Sequence, residues 1–279
     1  MYQRVIVPVD GSLRSWKVAD AAAELASWWD CPVEVVSVVR FESAREQAQI
    51  EIEGRIAKSS WPDRGIPRVL AGIDESIGNY IADVANEHPG SLIVMSSTGH
   101  GRSAAMLGST AEEIVRHTTT PVLLYGPVAK TEAPSGASLI IAVDGSELSA
   151  QALGLAGAWT VGLDLIPWIV TVGEVDAKLP PDVAESAGPH SLAIELEELI
   201  DRPVQYEILH GGRPSTSLTD FAESMNAAAL VETTHALQGF DRLLSGSVTM
   251  STVRHSHIPV LVVRGLDVAD QAHEAEASH

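Results

Sequence analysis

The chain repeats itself on the scale of a whole domain. RVIVPVDGS at residues 4–12 returns as LIIAVDGS at 139–146, which sets Asp10, Gly11 and Ser12 opposite Asp144, Gly145 and Ser146. Further along, Gly108-Ser109, Arg116-His117 and Pro121-Val122-Leu123 return as Gly246-Ser247, Arg254-His255 and Pro259-Val260-Leu261, all at an offset of 138. Two anchors in the same order mark a duplicated domain. The period is far above the roughly 20–50 residues of a solenoid unit, so each copy must bury its own core and can carry its own site.

Each half of the 279 residues is long enough for such a core. No apolar run reaches the ~18–20 residues that cross a bilayer, and the Met1 end runs straight into a strand pattern without a signal peptide. The expected location is cytoplasmic. A net charge of -19 argues against nucleic acid or an anionic membrane as partner. The excess lies mainly after Ser135, where 6 basic residues face 20 acidic ones, so the second copy is the poorer host for an anion. The single cysteine, Cys31, has no second thiol and reads as packing.

Periodicity alternates between strand and helix. In the first copy, strand patterns cover 4–9, 33–39, 68–71, 91–95 and 121–125, and helical patterns cover 13–29, 43–58, 75–87 and 109–117. In the second, strands fall at 138–143, 165–172, 204–209, 228–232 and 259–263, with helices at 148–162, 182–200, 215–226 and 248–256. This order predicts an α/β fold with parallel sheets covered on both faces. The segment PVAKTEAPSGA at 127–137 is the only Pro/Ser/Gly-rich break between the copies. The domains are therefore placed at 1–127 and 138–265, with a linker at 128–137. The acidic tail, 266–279, has no apolar stripe and reads as disordered.

Ligands of open parallel sheets bind beyond the carboxyl ends of the strands, where the winding reverses. The loops after the first and fourth strands are thus the candidates. Residues 95–110, MSSTGHGRSAAMLGST, are rich in small residues and open a helix at Gly108-Ser109-Thr110, where amide groups and the helix dipole suit a phosphate. The same residues also read as a capping box, Ser109 to Glu112. Asp10 can hold a ligand's polar edge or cap the following helix. His255 and His257 lack the spacing of a metal pair, His273 and His279 lie in the tail, and no Gly-x-Ser-x-Gly turn is present. Trp16, Trp28, Trp29 and Trp159 fall on the first helix of each copy and read as packing.

Together, VPVDGS (7–12), IVMSSTGHGR (93–102), LGST (107–110), TPVLLY (120–125) and their second-copy partners resemble the universal stress protein family in its tandem form. The resemblance covers 1–265. It implies two open parallel sheets of adenine-nucleotide-binding type, each with strand order 3-2-1-4-5, packed through their fifth strands as an intramolecular pseudo-dimer, with the whole chain a monomer or homodimer. It also implies an adenine nucleotide such as ATP, with no metal beyond a nucleotide-associated Mg. By analogy Pro8, Val9, Asp10 and Val38 border the base and ribose. Met95, Ser96, Thr98 and Gly99 line the ribose and phosphates, Gly101 and Arg102 belong to the loop, and Gly108, Ser109 and Thr110 hold the phosphates. The corresponding second-copy positions are Asp144, Val172, Gly246, Ser247 and Val248.

The chain departs from the family's Gly-x2-Gly-x9-Gly-(Ser/Thr) pattern. In the first copy Ser96 replaces the leading glycine, which predicts crowding where backbone must come close, and only eight residues separate Gly99 from Gly108. Arg102 adds a cation to the shortened loop. In the second copy Thr233 and Ala236 replace both leading glycines, Glu232 stands in place of Met95, and Asp241 adds a further negative charge. The expectation is a non-enzymatic stress-response or signalling protein that binds adenine nucleotide in its first domain and keeps a degenerate second site. The alternative is a tandem interaction module without nucleotide that acts through unknown protein partners, and a weak ATPase is the third reading.

Overall fold

The apolar runs of the first copy become five strands, β1 (Arg4–Pro8), β2 (Val33–Val39), β3 (Gly65–Ala71), β4 (Ser91–Ser96) and β5 (Val122–Tyr125). Between them lie α1 (Leu13–Trp28), α2 (Arg45–Ile56), α3 (Ile77–Asn86) and α4 (Ser109–His117). The structure, a computed structural model, describes residues 2–72, 75–99, 108–173, 187–235 and 248–265. Two compact units divide between Pro134 and Ser135. No helix among the described residues is long and apolar enough to cross a membrane.

All strand pairs within the first unit are parallel. β1 is central, with Val5 opposite Val33 of β2 and Leu92 of β4; β3 flanks β2 and β5 flanks β4, giving the order 3-2-1-4-5. Right-handed crossovers then place α1 and α2 on one face and α3 and α4 on the other. Contacts on each face agree. Arg55 of α2 lies over the Trp16 ring of α1 at 5.0 Å, and Trp61 Nε1 donates to Asp20 Oδ1 at 2.9 Å. On the opposite face α3 approaches α4 so closely at Gly78 that a Cβ there would stand 2.4 Å from the Glu113 Cβ.

The second unit repeats the plan with β6 (Ser138–Ala142), β7 (Ile166–Gly173), β8 (Gln205–His210), β9 (Ala227–His235) and β10 (Val260–Gly265). Its helices are α5 (Glu147–Ala150), α6 (Leu153–Gly162), α7 (Ala187–Ile200), α8 (Pro214–Ser224) and α9 (Val248–His255). β6 is central between β7 and β9, with β8 and β10 outside them. Both copies close the first long helix in the same way. Asp30 and Asp164 turn into the left-handed region at φ 49 and 53, and each is held by an arginine, Arg64 at 3.0 Å and Arg202 at 2.8 Å. Asp is among the few non-glycine residues that tolerate this conformation.

Several element boundaries differ from the periodicity reading, and one lies partly outside the described residues. The helix expected at 148–162 is two pieces, α5 and α6. Ser149 Oγ donates to the Ser146 carbonyl at 2.8 Å, and glycines at 154, 157 and 162 weaken helix propagation. The helix expected from 182 is described only from Ala187, and 182–186 lie outside the described residues. β3 begins at Gly65 and includes Pro67, which an edge strand accepts because one side needs no ladder donor.

The sheet end away from the β1 and β4 loops carries a buried ion network. Glu34, only 3% exposed, takes Arg4 Nη1 at 2.7 Å and Arg68 Nη1 at 3.3 Å, and Arg68 also forks onto Glu87 at 2.8 and 3.0 Å. These contacts tie β1, β2, β3 and the end of α3 together. Glu34→Ala would leave two arginines without their shared carboxylate. Because both reach solvent, the cost sits near the low end for a broken buried pair, about 3 kcal/mol. Denaturant unfolding of the full chain followed by tryptophan fluorescence tests this; a loss under about 1 kcal/mol would contradict the network's role.

Candidate functional site

Strand β1 runs out at Pro8 into Val9-Asp10-Gly11-Ser12, and the local chemistry sets that turn. Gly11 takes φ 82, open to glycine without strain. Asp10 Oδ1 accepts the Ser12 amide at 3.0 Å, and Ser12 caps α1 by accepting the Ser15 amide. The second copy makes the same turn, with Gly145 at φ 80 and Asp144 Oδ1 accepting the Ser146 amide at 2.9 Å.

Beside this turn lies a cavity of about 260 Å³, close to the roughly 300 Å³ at which small-molecule pockets begin. It occupies the switch point between β1 and β4. Pro8, Val9, Asp10, Val38, Met95, Ser96, Thr98, Gly99, Gly108, Ser109 and Thr110 all line it. Gly101 and Arg102 lie outside the described residues. The structure adds Ser15, Val36, Ile77, Ile81, Ser97 and Ala111. Val36 was legible as the residue two before Val38 on the same strand face. Ile77 and Ile81 were not, since nothing local in α3 says that its first turn leans over β4.

Gly99 is required by close approach. A Cβ there would stand 2.7 Å from Asp10 Oδ2, so the glycine lets the β4 loop close against the carboxylate. Ser96, which stands where the family pattern has glycine, lines the cavity with its hydroxyl engaged by the protein. Its hydroxyl donates to the Thr98 carbonyl at 2.8 Å and accepts Arg14 Nε at 3.1 Å. The Arg14 Nη2 also donates to the carbonyls of Gly126 and Ala129. Burial lowers the Arg14 pKa from the usual arginine value. Arg14 therefore pins the end of β4 to the segment after β5.

The capping-box reading fails at α4. The N-cap is Gly108, not Ser109, and no side chain caps the helix. Gly108 is fixed from behind, its amide donating to the Ser97 carbonyl at 2.7 Å. The amides of Ser109, Thr110 and Ala111 thus precede the first helical bond, Glu112 N to Gly108 O at 3.1 Å. By contrast α1 and α3 are capped by the Ser12 and Ser76 hydroxyls. α4 presents the cavity with a helix N-terminus whose donors no described side chain takes.

The second copy has been rewritten at the matching place. Strand register sets Glu232 opposite Val262 just as Met95 is opposite Leu124, so Glu232 is the counterpart of Met95. It is 4% exposed. Burial pushes its carboxyl above the usual glutamate range, offset in part by hydrogen bonds from Thr249 and Thr252, and Oε1 has no partner among the described residues. Asp144 is exposed, Val172 lies on β7 and Val248 opens α9; Gly246 and Ser247 lie outside the described residues. Among the described residues no three His, Cys, Asp or Glu side chains group as metal ligands.

A raised carboxyl pKa favours the folded state only while the group stays protonated. Stability from this site is full below the ordinary glutamate pKa and is lost as pH rises toward the folded value. Glu232→Gln keeps the shape without the ionisation. Its melting temperature should match the parent's near pH 4 and exceed it increasingly toward pH 8; a difference that does not change with pH would contradict the buried, neutral carboxyl.

Comparison with known proteins gives the lineage. The sequence profile described as "Universal stress protein family" matches residues 1–126 and again 138–264. A universal stress protein of Mycobacterium tuberculosis is 27% identical over 289 residues, covering 93% of this chain and 96% of that protein; one from Mycolicibacterium smegmatis is 24% identical over 288. Among solved structures, a universal stress protein from Archaeoglobus fulgidus shares the fold at a TM-score of 0.73 and 19% identity, covering 95% of this chain and 99% of that one. With two matched copies of the profile on two copies of the 3-2-1-4-5 sheet, the chain belongs to the universal stress protein family.

Proposed function

We propose that the first domain binds ATP or a related adenine nucleotide reversibly, that the second domain's copy of the site is degenerate, and that the chain acts in stress response or signalling as a binding protein, not an enzyme. One observation carries the reading: the cavity at the β1/β4 switch point ends at the N-terminus of α4, which no described side chain caps. The two ends of the cavity differ in charge, and this orients the ligand. Asp10 repels phosphate and suits hydroxyl donors of a ribose. The α4 amides and helix dipole suit phosphate oxygens. Pro8, Val38, Ile81 and Met95 supply apolar surface for a base between them. No histidine or lysine lines the cavity among the described residues, so the described wall offers Ser109 and Thr110 no imidazole or amine base. Any Mg would arrive with the nucleotide.

In the second copy Glu232 replaces apolar Met95 surface with a carboxyl, which supports the assignment of nucleotide to the first domain alone. The test is calorimetric titration of the full chain with ATP and AMP, together with identification of any nucleotide that co-purifies. Ser109→Asp sets a carboxylate at the first position of α4, where it favours the helix but repels phosphate. It should keep the melting temperature and weaken ATP at least tenfold. A parent chain that binds neither nucleotide would favour the alternative, a tandem module that works through protein partners.

A further inference from the structure

The Ser97 hydroxyl is the one polar group of the described cavity wall that is both buried and without a hydrogen-bond partner. Ser97 is 1% exposed, its Oγ finds no acceptor or donor among the described residues, and it lines the cavity. Its backbone is fully engaged. The amide donates to the Tyr125 carbonyl at 2.9 Å, carrying the β4–β5 ladder one residue past Ser96, and the carbonyl accepts the Gly108 amide at 2.7 Å. Extended backbone makes side chains alternate. Ser96 turns to Arg14 on one face, so Ser97 turns with Met95 to the other, the cavity face below the first turn of α4. A buried hydroxyl left unpaired costs free energy, and here the cost is set beside three helix-end amides that have no cap.

This inference rests on the adenine-nucleotide reading and extends it. We propose that Ser97 is a ligand contact, its hydroxyl donating to an oxygen of the phosphate received by the first turn of α4, and that it makes the site select nucleotide over nucleoside. The hydroxyl and the α4 amides then act as one donor set, locked together by the Ser97 carbonyl to Gly108 amide bond. A hydrogen bond from a neutral hydroxyl to an anionic oxygen is among the stronger kinds, enough for a tenfold effect or more.

The test compares the full-length parent with Ser97→Ala and Ser97→Thr by calorimetry against AMP, ATP and adenosine, with thermal melts of each ligand-free protein. Threonine keeps the hydroxyl, and the second copy carries Thr234 at the matching strand position. Ser97→Ala should weaken AMP and ATP at least tenfold and leave adenosine within twofold, while the ligand-free melting temperature holds or rises because an unpaired buried group has gone. Ser97→Thr should stay within threefold of the parent for AMP; where adenosine binds too weakly to titrate, the contrast between Ala and Thr decides. Unchanged AMP affinity in Ser97→Ala, an equal loss of AMP and adenosine, or a clear fall in its ligand-free melting temperature would each overturn the assignment and leave the nucleotide reading standing. A parent that binds neither AMP nor ATP would overturn both.

Discussion

The parallel register of β1 between β2 and β4 is the constraint on which the rest of the first unit depends. With Val5 level with Val33 and Leu92, both central strands end at the same height. The chain leaves β1 toward α1 and β2 on one face and enters β4 from α3 on the other. Two loops of unrelated sequence are thereby thrown to the same edge with no helix between them. The cavity is the gap left by that reversal, and it exists before any ligand chemistry is considered. Each feature that shapes it is then a local adjustment. Gly99 lets one loop close on Asp10, Arg14 pins the end of β4 through Ser96, and Gly108 starts α4 without a cap.

The two copies show how one scaffold holds different demands. Both keep the Asp-Gly-Ser turn with a glycine near φ 80, and both close the first long helix with an aspartate in the left-handed region tied to an arginine. These features support the fold, and either copy needs them. The divergence falls at the carboxyl end of the fourth strand, where Met95 becomes Glu232 and Ala111 becomes Thr249. The first copy's wall is apolar with hydroxyls at its edge. The second places a carboxyl in the same layer and gives it hydrogen bonds from threonine hydroxyls of α9, which offset its burial only in part.

Most of the fold was legible in the sequence because β-branched apolar runs and glycine or aspartate breaks are local signals, and the duplication supplied each of them twice. The candidate site was legible to the extent that its residues sit on strand ends and helix starts: Asp10, Met95, Gly99, Gly108 and Ser109 all line one cavity. What was not legible shares a cause. Ser109 satisfies the spacing rule for a capping box, but the helix starts one residue earlier than that rule needs, because Gly108 is held by the Ser97 carbonyl. Nor was the role of the Ser96 hydroxyl legible, because its partner, Arg14, lies 82 positions away in sequence.

The sequence by itself determined the duplication, the alternation of strand and helix, and the family, since these rest on periodicity and short motifs that need no partner in space. It also determined which copy carries the more acidic surroundings. Only the tertiary structure decided which hydroxyls are taken and which are left over. Ser96, Ser97, Ser109 and Thr110 are four similar residues in one segment, yet one is engaged by an arginine of α1, one is buried without a partner, and two stand at the start of an uncapped helix. Hydrogen-bond satisfaction depends on what other strands and helices bring within about 3 Å, and no local pattern along the chain carries that information.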